Sequence, residues 1–248
     1  MHLTQIKIDA RLLSELAREH RLPISTADAG YRMHVGLTSV FGDAAPKPFW
    51  IRDTDGQHAD VLGYADQDKK GLQGAAQMHA SSLAYEMCEW NRLHCKPMPG
   101  ADVLEDQALS FKLRACPIVR KGSAGQGTNL DGETVKWRAG ERMDAFLSQA
   151  LSSGDDITRS EAYASWLRRQ FDVRDGGAEI QSVSLEAFNL KEVTRRAQGT
   201  TMKQQTKPMV LLSGRLQVRE PEDFLSILFS GLGQHKSFGC GMMLIRPA

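Results

Sequence analysis

Two side chains near the start of the chain have types and a spacing that suit RNA cleavage without a metal ion. Tyr31 and His34 are three residues apart, so a helix would place both on one face. An imidazole exchanges its proton near neutral pH, which suits it to deprotonate a ribose 2′-hydroxyl or to protonate a leaving oxygen. A phenol beside it can donate a hydrogen bond to the phosphate as charge develops. Helical Tyr-x-x-His pairs are also common as half-buried packing pairs, so the spacing alone leaves both interpretations open.

A glycine-rich segment, GLGQHKSFGCG, lies at the other end of the chain, from residue 231 to residue 241. Gly233 and Gly239 would let backbone N–H groups close around an anion, and Lys236 adds a positive charge, so the segment is a candidate phosphate-binding loop. It lacks the G-x-x-x-x-G-K-[ST] of a Walker loop, and it precedes a strand, whereas a dinucleotide fingerprint opens a helix. A tight helix-to-strand connection, with glycines needed only for backbone geometry, explains the same residues.

The charge is nearly balanced overall but uneven along the chain. The formal net charge is +1, with a net of −2 over residues 1–104 (11 basic, 13 acidic) and +3 over residues 105–248 (20 basic, 17 acidic). A local basic stripe on a near-neutral protein suits a polyanion bound in one groove, although a solvated face gives the same count. The candidate RNA contacts are the six basic residues between 112 and 138, namely Lys112, Arg114, Arg120, Lys121, Lys136 and Arg138.

The composition, with 41% hydrophobic and 25% charged residues, is that of a globular protein. No apolar run approaches the roughly 20 residues of a membrane span, and no secretory signal is visible, so we expect a cytoplasmic protein without a membrane partner. The four cysteines form no C-x-x-C pair, which favours a reduced state. The sequence predicts no metal and no cofactor, because the one conceivable zinc set has no standard ligand spacing. That set is His79, Cys88, His94 and Cys95.

The elements that would position these residues follow a β-α-β-β-α-β order in the first half. Met33, Leu37, Val40 and Phe41 form the expected buried stripe of the helix that carries His34. The predicted elements are a strand at 3–8, a helix at 10–22, a capping box at 25–28 that starts the Tyr31/His34 helix, a hairpin of 49–52 and 61–64, a helix at 74–89 and a strand at 91–96.

The second half repeats this order with helical insertions after a boundary at the turn 97–100. Its predicted elements are strands at 108–119 and 134–138 around a glycine-rich loop, helices at 141–152 and 158–171, strands at 179–188 and 209–219, a helix from Pro221 and a strand at 242–245. We therefore predict an α+β fold of two tandem ferredoxin-like (RRM-like) domains, residues 1–100 and 101–248.

In order and placing, these motifs resemble the CasE family, the CRISPR repeat-RNA endoribonucleases of type I-E Cascade complexes, within the RAMP superfamily. The matching segments are MHLTQIKI at 1–8, the Tyr31-x-x-His34-x-x-Leu37 helix, FKLRACPI at 111–118, WLRR at 166–169 and the glycine-rich ending. The ending is the most specific of these. Residues 10–25 look longer than the family's usual link, the stretch 65–105 matches poorly, and 189–208 is similar to a mobile RNA-facing loop.

The resemblance implies metal-independent cleavage at the 3′ base of the repeat hairpin, with 2′,3′-cyclic phosphate and 5′-hydroxyl products, by a Cascade subunit that keeps its RNA. It implies that His34 is the principal catalytic residue and that Tyr31 assists it. It also implies that the six basic residues of 112–138 contact phosphates. A RAMP-type subunit that binds RNA without cutting it is the alternative. A metabolic enzyme on a ferredoxin-like scaffold is a third reading, although no convergent acidic or cofactor-binding cluster supports it.

Overall fold

The structure, a computed structural model, describes residues 1–22, 29–129, 132–153, 157–196 and 202–248. The capping box predicted at 25–28 and residues 197–201 of the loop predicted at 189–208 lie outside the described residues. The rest of that loop prediction is wrong, because residues 189–196 and 202–208 pair as two antiparallel strands. Of the helices that are described, none is long and apolar enough to cross a membrane.

The first four-stranded sheet is built from the residues before 98, with helices over one of its faces. Its elements are β1 (His2–Asp9), α1 (Ala10–Glu19), α2 (Ala29–Phe41), β2 (Phe49–Thr54), β3 (His58–Ala65), α3 (Lys69–His79), α4 (Ser82–Glu86) and β4 (His94–Pro97). The strands are antiparallel and lie in the order β2-β3-β1-β4.

A second four-stranded sheet follows the short helix α5 (Ala101–Leu104). The remaining elements are β5 (Ala108–Ala115), β6 (Ile118–Arg120), β7 (Gly125–Thr128), β8 (Thr134–Trp137), β9 (Arg142–Asp144), α6 (Ala145–Ser153), α7 (Arg159–Asp172), β10 (Ala178–Arg196), β11 (Met202–Val218), α8 (Pro221–Ser230) and β12 (Met243–Pro247). The sheet order is β10-β11-β5-β12, and the pairs β6-β9 and β7-β8 stand apart from it as small two-stranded sheets.

Both large sheets have the same topology. In each, the unit's first strand lies centrally between its last and third strands, and its second strand forms the far edge. This is the arrangement of a ferredoxin-like β-α-β-β-α-β unit, so the predicted fold of two tandem ferredoxin-like units is confirmed.

Buried and exposed side chains alternate along the central strands, so each sheet has one covered and one open face. In β1, Ile6 and Ile8 are buried beneath α2, whose predicted stripe of Met33, Leu37, Val40 and Phe41 is buried as well. In β5, Phe111 and Leu113 pack against α7 and α8, while the residues between them face outward. Because neighbouring side chains in a strand point to opposite faces, the polar residues of these strands line the open faces.

Several predicted boundaries were wrong, each for a local reason. The helix predicted at 74–89 is two helices, because Asp68 caps the first by accepting from Gly71 N at 2.8 Å and Ser81 caps the second. The strand predicted at 108–119 stops before Pro117, which cannot donate to a ladder. The helix predicted at 141–152 begins only at Ala145, since 142–144 pair as β9.

The basic strand predicted at 134–138 does not join the second large sheet. Its residues form β8, which pairs with β7 in a separate two-stranded hairpin. The hairpin rests on α6, where a Cβ on Gly127 would lie 2.1 Å from the carbonyl oxygen of Leu151. The predicted capping box at the start of α7 is present, with reciprocal bonds between Thr158 and Glu161.

A hydrogen bond links the two sheets. The hydroxyl of Tyr64, at the end of β3, donates to the carbonyl oxygen of Met243 in β12 at 2.7 Å. The Tyr64 ring also meets Phe229 edge-on, with centroids 5.2 Å apart. Since the tyrosine is 2% exposed, an unpaired partner here would not be rescued by water.

We predict that Tyr64→Phe lowers the free energy of unfolding by about 1 kcal/mol, because it removes the buried hydrogen bond and keeps the ring. Urea denaturation followed by circular dichroism measures this change. Tyr85→Phe is the matched control, since the Tyr85 hydroxyl has no hydrogen-bond partner among the described residues. Equal losses in both variants would contradict a specific role for the inter-sheet bond.

Candidate active site

Tyr31 and His34 share one face of α2, as their spacing predicts. Burial of Met33 and Leu37 sets the rotation of the helix, and it leaves Tyr31 and His34 partly exposed. The centroids of the two rings are 6.3 Å apart, with the ring planes tilted by 44°. The phenol and the imidazole are therefore close enough to act on one bound group.

The glycine-rich ending packs directly on this pair. The ring of Phe238, in a short 3₁₀ helix over Lys236–Phe238, stacks on Tyr31 with centroids 5.5 Å apart and an angle of 26°. His235 meets the same phenylalanine edge-on at 5.5 Å. The two motifs at opposite ends of the chain thus meet in space, and the residue that joins them, Phe238, was missed by sequence reasoning because nothing in its local pattern sets it apart.

Backbone geometry accounts for the glycines of this loop. Gly233 and Gly239 both have φ of +74°, in the region that favours glycine. A Cβ on Gly233 would lie 2.8 Å from the Trp166 ring, and one on Gly239 would lie 3.3 Å from the ring of Phe49. The loop is tied to the second sheet by the N–H of Gly241, which donates to the carbonyl oxygen of Arg114 at 2.7 Å.

Lys236 is turned back toward the end of α8. Its ammonium group donates to the carbonyl oxygen of Ser230, and burial, together with the nearby Arg174 charge, lowers the pKa of Lys236. Arg174 in turn donates to the carbonyl oxygen of Gly231 at 2.9 Å and to the Ser230 hydroxyl. Cations at a helix C-terminus are favourable, so both side chains stabilise the start of the loop. Sequence reasoning missed Arg174, which lies far from the loop along the chain.

The surroundings of His34 favour its neutral form. Burial, and secondly the positive charge of Lys47, lowers the pKa of His34 below its ordinary value of 6.5. No described residue forms a hydrogen bond with the His34 ring, so its unprotonated nitrogen is available to a ligand. The exposed Lys47 is held by its backbone, whose N–H donates to the carbonyl oxygen of Tyr64 at 2.8 Å. Lys47 was not among the predicted site residues.

A cavity of about 270 Å³ lies at the start of α2. It brings Arg114 of β5 to the helix that carries His34, and it includes two further cations, Arg52 and Lys191. The other lining residues are Ala29, Gly30, Ile51, Asp53, Thr54 and Phe238. Of the six predicted phosphate contacts, Arg114 is the one that the structure places here.

The other five predicted contacts lie on two further surfaces. Lys112 is exposed on the open face of the second sheet. Arg120 and Lys121 line a second cavity, of about 420 Å³, beside α6 and α7. Lys121 donates to the Ser148 hydroxyl at 3.0 Å and lies 4.2 Å from the centre of the Trp137 ring.

Lys136 and Arg138 complete the set, and both are exposed on or just after β8. Trp137, which lies between them in the sequence, contacts Lys121, so these cations belong to the same region of the surface as Lys121. The structure therefore divides the predicted stripe into a part beside the candidate site and a part on the β7-β8 hairpin.

The four residues of the conceivable zinc set are not brought together. Among the described residues, no group of three or more His, Cys, Asp or Glu side chains could hold a metal ion. All four cysteines are free thiols, and Cys88, Cys116 and Cys240 are buried.

We predict that Lys47→Met raises the pKa of His34 toward 6.5, because the variant removes a positive charge that opposes protonation of the ring. The pKa stays below that value, since burial of the ring is unchanged. A histidine NMR titration of both proteins gives the shift. Lys96→Met is the matched control, because Lys96 is an exposed lysine in the edge strand on the opposite side of the same sheet. An unchanged His34 titration in Lys47→Met would contradict the electrostatic contact.

The chain is similar to solved structures over its whole length. The match to the "CRISPR endoribonuclease Cse3 bound to 19 nt RNA" covers 100% of both chains, at 22% identity and a TM-score of 0.59. Similarity to Thermus thermophilus Cse3, bound to an RNA representing a pre-cleavage complex, spans 99% of this chain and 98% of that one, at 20% identity and a TM-score of 0.55. The CRISPR-associated protein Cas6e from Escherichia coli K-12 matches over 100% of both chains, at 19% identity and a TM-score of 0.59.

At these identities the structural matches establish the fold. No curated protein sequence matches the chain. The family model described as "CRISPR associated protein" matches residues 1–247. Because that match spans nearly the entire sequence, the chain belongs to the CRISPR-associated protein family.

Proposed function

We propose that this protein is an endoribonuclease that binds the hairpin of CRISPR repeat RNA and cleaves the precursor at the 3′ base of the stem. The observation that carries the proposal is the half-buried imidazole of His34, which lies beside Tyr31, has no hydrogen-bond partner among the described residues and has a pKa lowered by burial and by Lys47. The structural relatives include proteins named as CRISPR endoribonucleases and bound to RNA, which supports this substrate class.

The chemistry assigned to His34 is general-base catalysis. The neutral imidazole takes the proton of a ribose 2′-hydroxyl, and that oxygen attacks the adjacent phosphorus. The bond from phosphorus to the 5′-oxygen of the next nucleotide breaks, and this oxygen takes a proton from water. The products are a 2′,3′-cyclic phosphate and a 5′-hydroxyl.

Tyr31 and Arg114 stabilise the negative charge that develops on the phosphate. The phenol donates a hydrogen bond to a non-bridging oxygen, and the guanidinium of Arg114 supplies positive charge from the cavity at the start of α2. Stacking on Phe238 holds the Tyr31 ring in place. No step requires a metal ion.

The remaining cations hold the RNA stem. Arg120, Lys121, Lys136 and Arg138 project from one region and contact phosphates, which position the hairpin but do not read its sequence. Gly233, Gly239 and Lys236 contribute by shaping the loop that carries Phe238. We propose that residues 1–100 supply the catalytic helix and residues 101–248 most of the RNA-binding surface. The product stays bound, as expected of a subunit of a Cascade complex in the cytoplasm, and a "CRISPR RNA-guided surveillance complex" is among the structural matches.

His34→Ala should abolish cleavage of repeat hairpin RNA in EDTA and leave hairpin affinity nearly unchanged. The reason is that the imidazole transfers a proton, whereas other residues bind the RNA. Cleavage is followed on gels, and affinity is measured with an RNA that carries a 2′-deoxy substitution at the cleavage site. His94→Ala, which removes an exposed histidine of β4, is the matched control. Tight binding without cleavage by the wild-type protein would instead indicate a RAMP-type subunit that only binds RNA.

Tyr31→Phe should slow single-turnover cleavage by roughly a hundredfold to a thousandfold without weakening RNA binding, because it removes one hydrogen-bond donor to the transition state. The variant keeps the ring that stacks on Phe238, so the loop stays in position. Tyr31→Ala removes both features and serves as the comparison. Unchanged cleavage by Tyr31→Phe would limit this residue to packing.

A further inference from the structure

The open face of the second sheet carries a row of cations. Lys112 and Arg114 point outward from β5, and the exposed Arg215 of β11 and Arg246 of β12 both pair in register with Ser110, two residues before Lys112. None of these four side chains forms an ion pair or hydrogen bond with any residue that the structure describes. Two of them, Arg215 and Arg246, lie outside the predicted basic stripe.

Three of these cations border a groove of about 630 Å³ on the sheet. Lys112, Arg215 and Arg246 line it, together with Ser110, Ser182 and Ser213. Among its described lining residues the single carboxylate is Glu186, which accepts a hydrogen bond from the Ser213 hydroxyl. With three positive charges against one negative charge, the groove is complementary to a polyanion.

The row of cations leads to the candidate active site. Lys112 and Arg114 are successive outward residues of one strand, so their Cα atoms are about 6.6 Å apart. Arg114 also lines the cavity at the start of α2, together with Gly30 and Phe238. A chain of phosphates that passed through the active site could therefore continue along β5 onto the open face.

Among its described residues, this face offers phosphate contacts but no stacking platform. The groove's one aromatic residue among those described, Phe111, is 3% exposed and packs in the core on the other side of the sheet. RRM sheets bind single strands by stacking bases on exposed rings, and that mode is unavailable here. Binding on this face would rest on backbone charge, which makes it tolerant of base sequence and sensitive to salt.

We propose that the open face of the second sheet binds the single-stranded RNA that continues on the 3′ side of the scissile phosphate. This inference rests on the proposed function, since it takes the cavity at α2 as the place of cleavage. The 3′ flank is the single strand that starts at the scissile phosphate, so it can enter the cationic row directly. Cleavage releases this flank, and the face therefore favours the precursor over the product.

The test compares two hairpin RNAs, both with a 2′-deoxy cleavage site, that differ only in a single-stranded 3′ extension. The wild-type protein should bind the extended RNA more tightly and with a steeper salt dependence. Arg215→Ala/Arg246→Ala should flatten the salt slope for the extended RNA by about 1.4, at roughly 0.7 per phosphate contact with a single strand. Affinity of this variant for the unextended hairpin should equal that of the wild type. Lys112 is left in place because it is also one of the six predicted phosphate contacts.

Two further variants sharpen the result. Glu186→Gln should strengthen binding of the extended RNA alone, because it removes the like charge in the groove. Arg11→Ala, which removes an exposed arginine of α1, should leave the affinity for both RNAs unchanged. Replacing the extension with one of different base sequence should leave the wild-type affinity unchanged.

Three outcomes would overturn the inference: no effect of the extension, equal weakening of both RNAs by the double variant, or strong dependence on the base sequence of the extension. Failure of the wild-type protein to bind the unextended hairpin is a separate result. It would contradict the proposed function itself.

Discussion

The packing of the last loop of the chain against the start of α2 is the contact on which the site depends. Phe238 supports the Tyr31 ring, and the N–H of Gly241 fixes the loop to Arg114, so one short segment aligns a helix of the first unit with a strand of the second. The loop has little room for a side chain at its glycines. A Cβ on Gly241 would lie 2.6 Å from the carbonyl oxygen of Leu232, and the residue has φ of +88°. A side chain at this position would clash with the backbone of Leu232, and the loop would no longer hold Phe238 against Tyr31 while its backbone is bonded to Arg114.

Partial burial of His34 resolves two competing requirements. A histidine fully exposed to water titrates near its ordinary pKa and is partly charged at neutral pH, whereas a fully buried one cannot reach a substrate. In α2 the ring is half-buried, so desolvation and Lys47 disfavour its charged form while its edge remains accessible. The apolar stripe on the other side of the helix sets this depth, since burial of Met33 and Leu37 determines how far α2 sinks onto the sheet.

The distribution of positive charge follows from the layered architecture. Helices cover one face of the second sheet, so alternation along β5 leaves Lys112 and Arg114 on the open face. Cations from strands distant in sequence join them, and the formal net charge of +1 gives no indication of this concentration. A second basic region, around Lys121 and the β7-β8 hairpin, is separated from the first because that hairpin never joins the large sheet.

The sequence by itself determined the order of the elements, the tandem ferredoxin-like topology and the helix that carries Tyr31 and His34, because hydrophobic periodicity and capping residues are local signals. It located poorly the end of β5 before Pro117 and the break between α3 and α4 before Ser81, since apolar residues continue beyond each break. Only the tertiary structure decided that Phe238 stacks on Tyr31, that Lys236 and Arg174 turn toward α8, and that Arg215 and Arg246 join Lys112 on one face. These contacts join residues far apart along the chain, and their geometry depends on how two sheets pack against each other, which no local pattern of residues encodes.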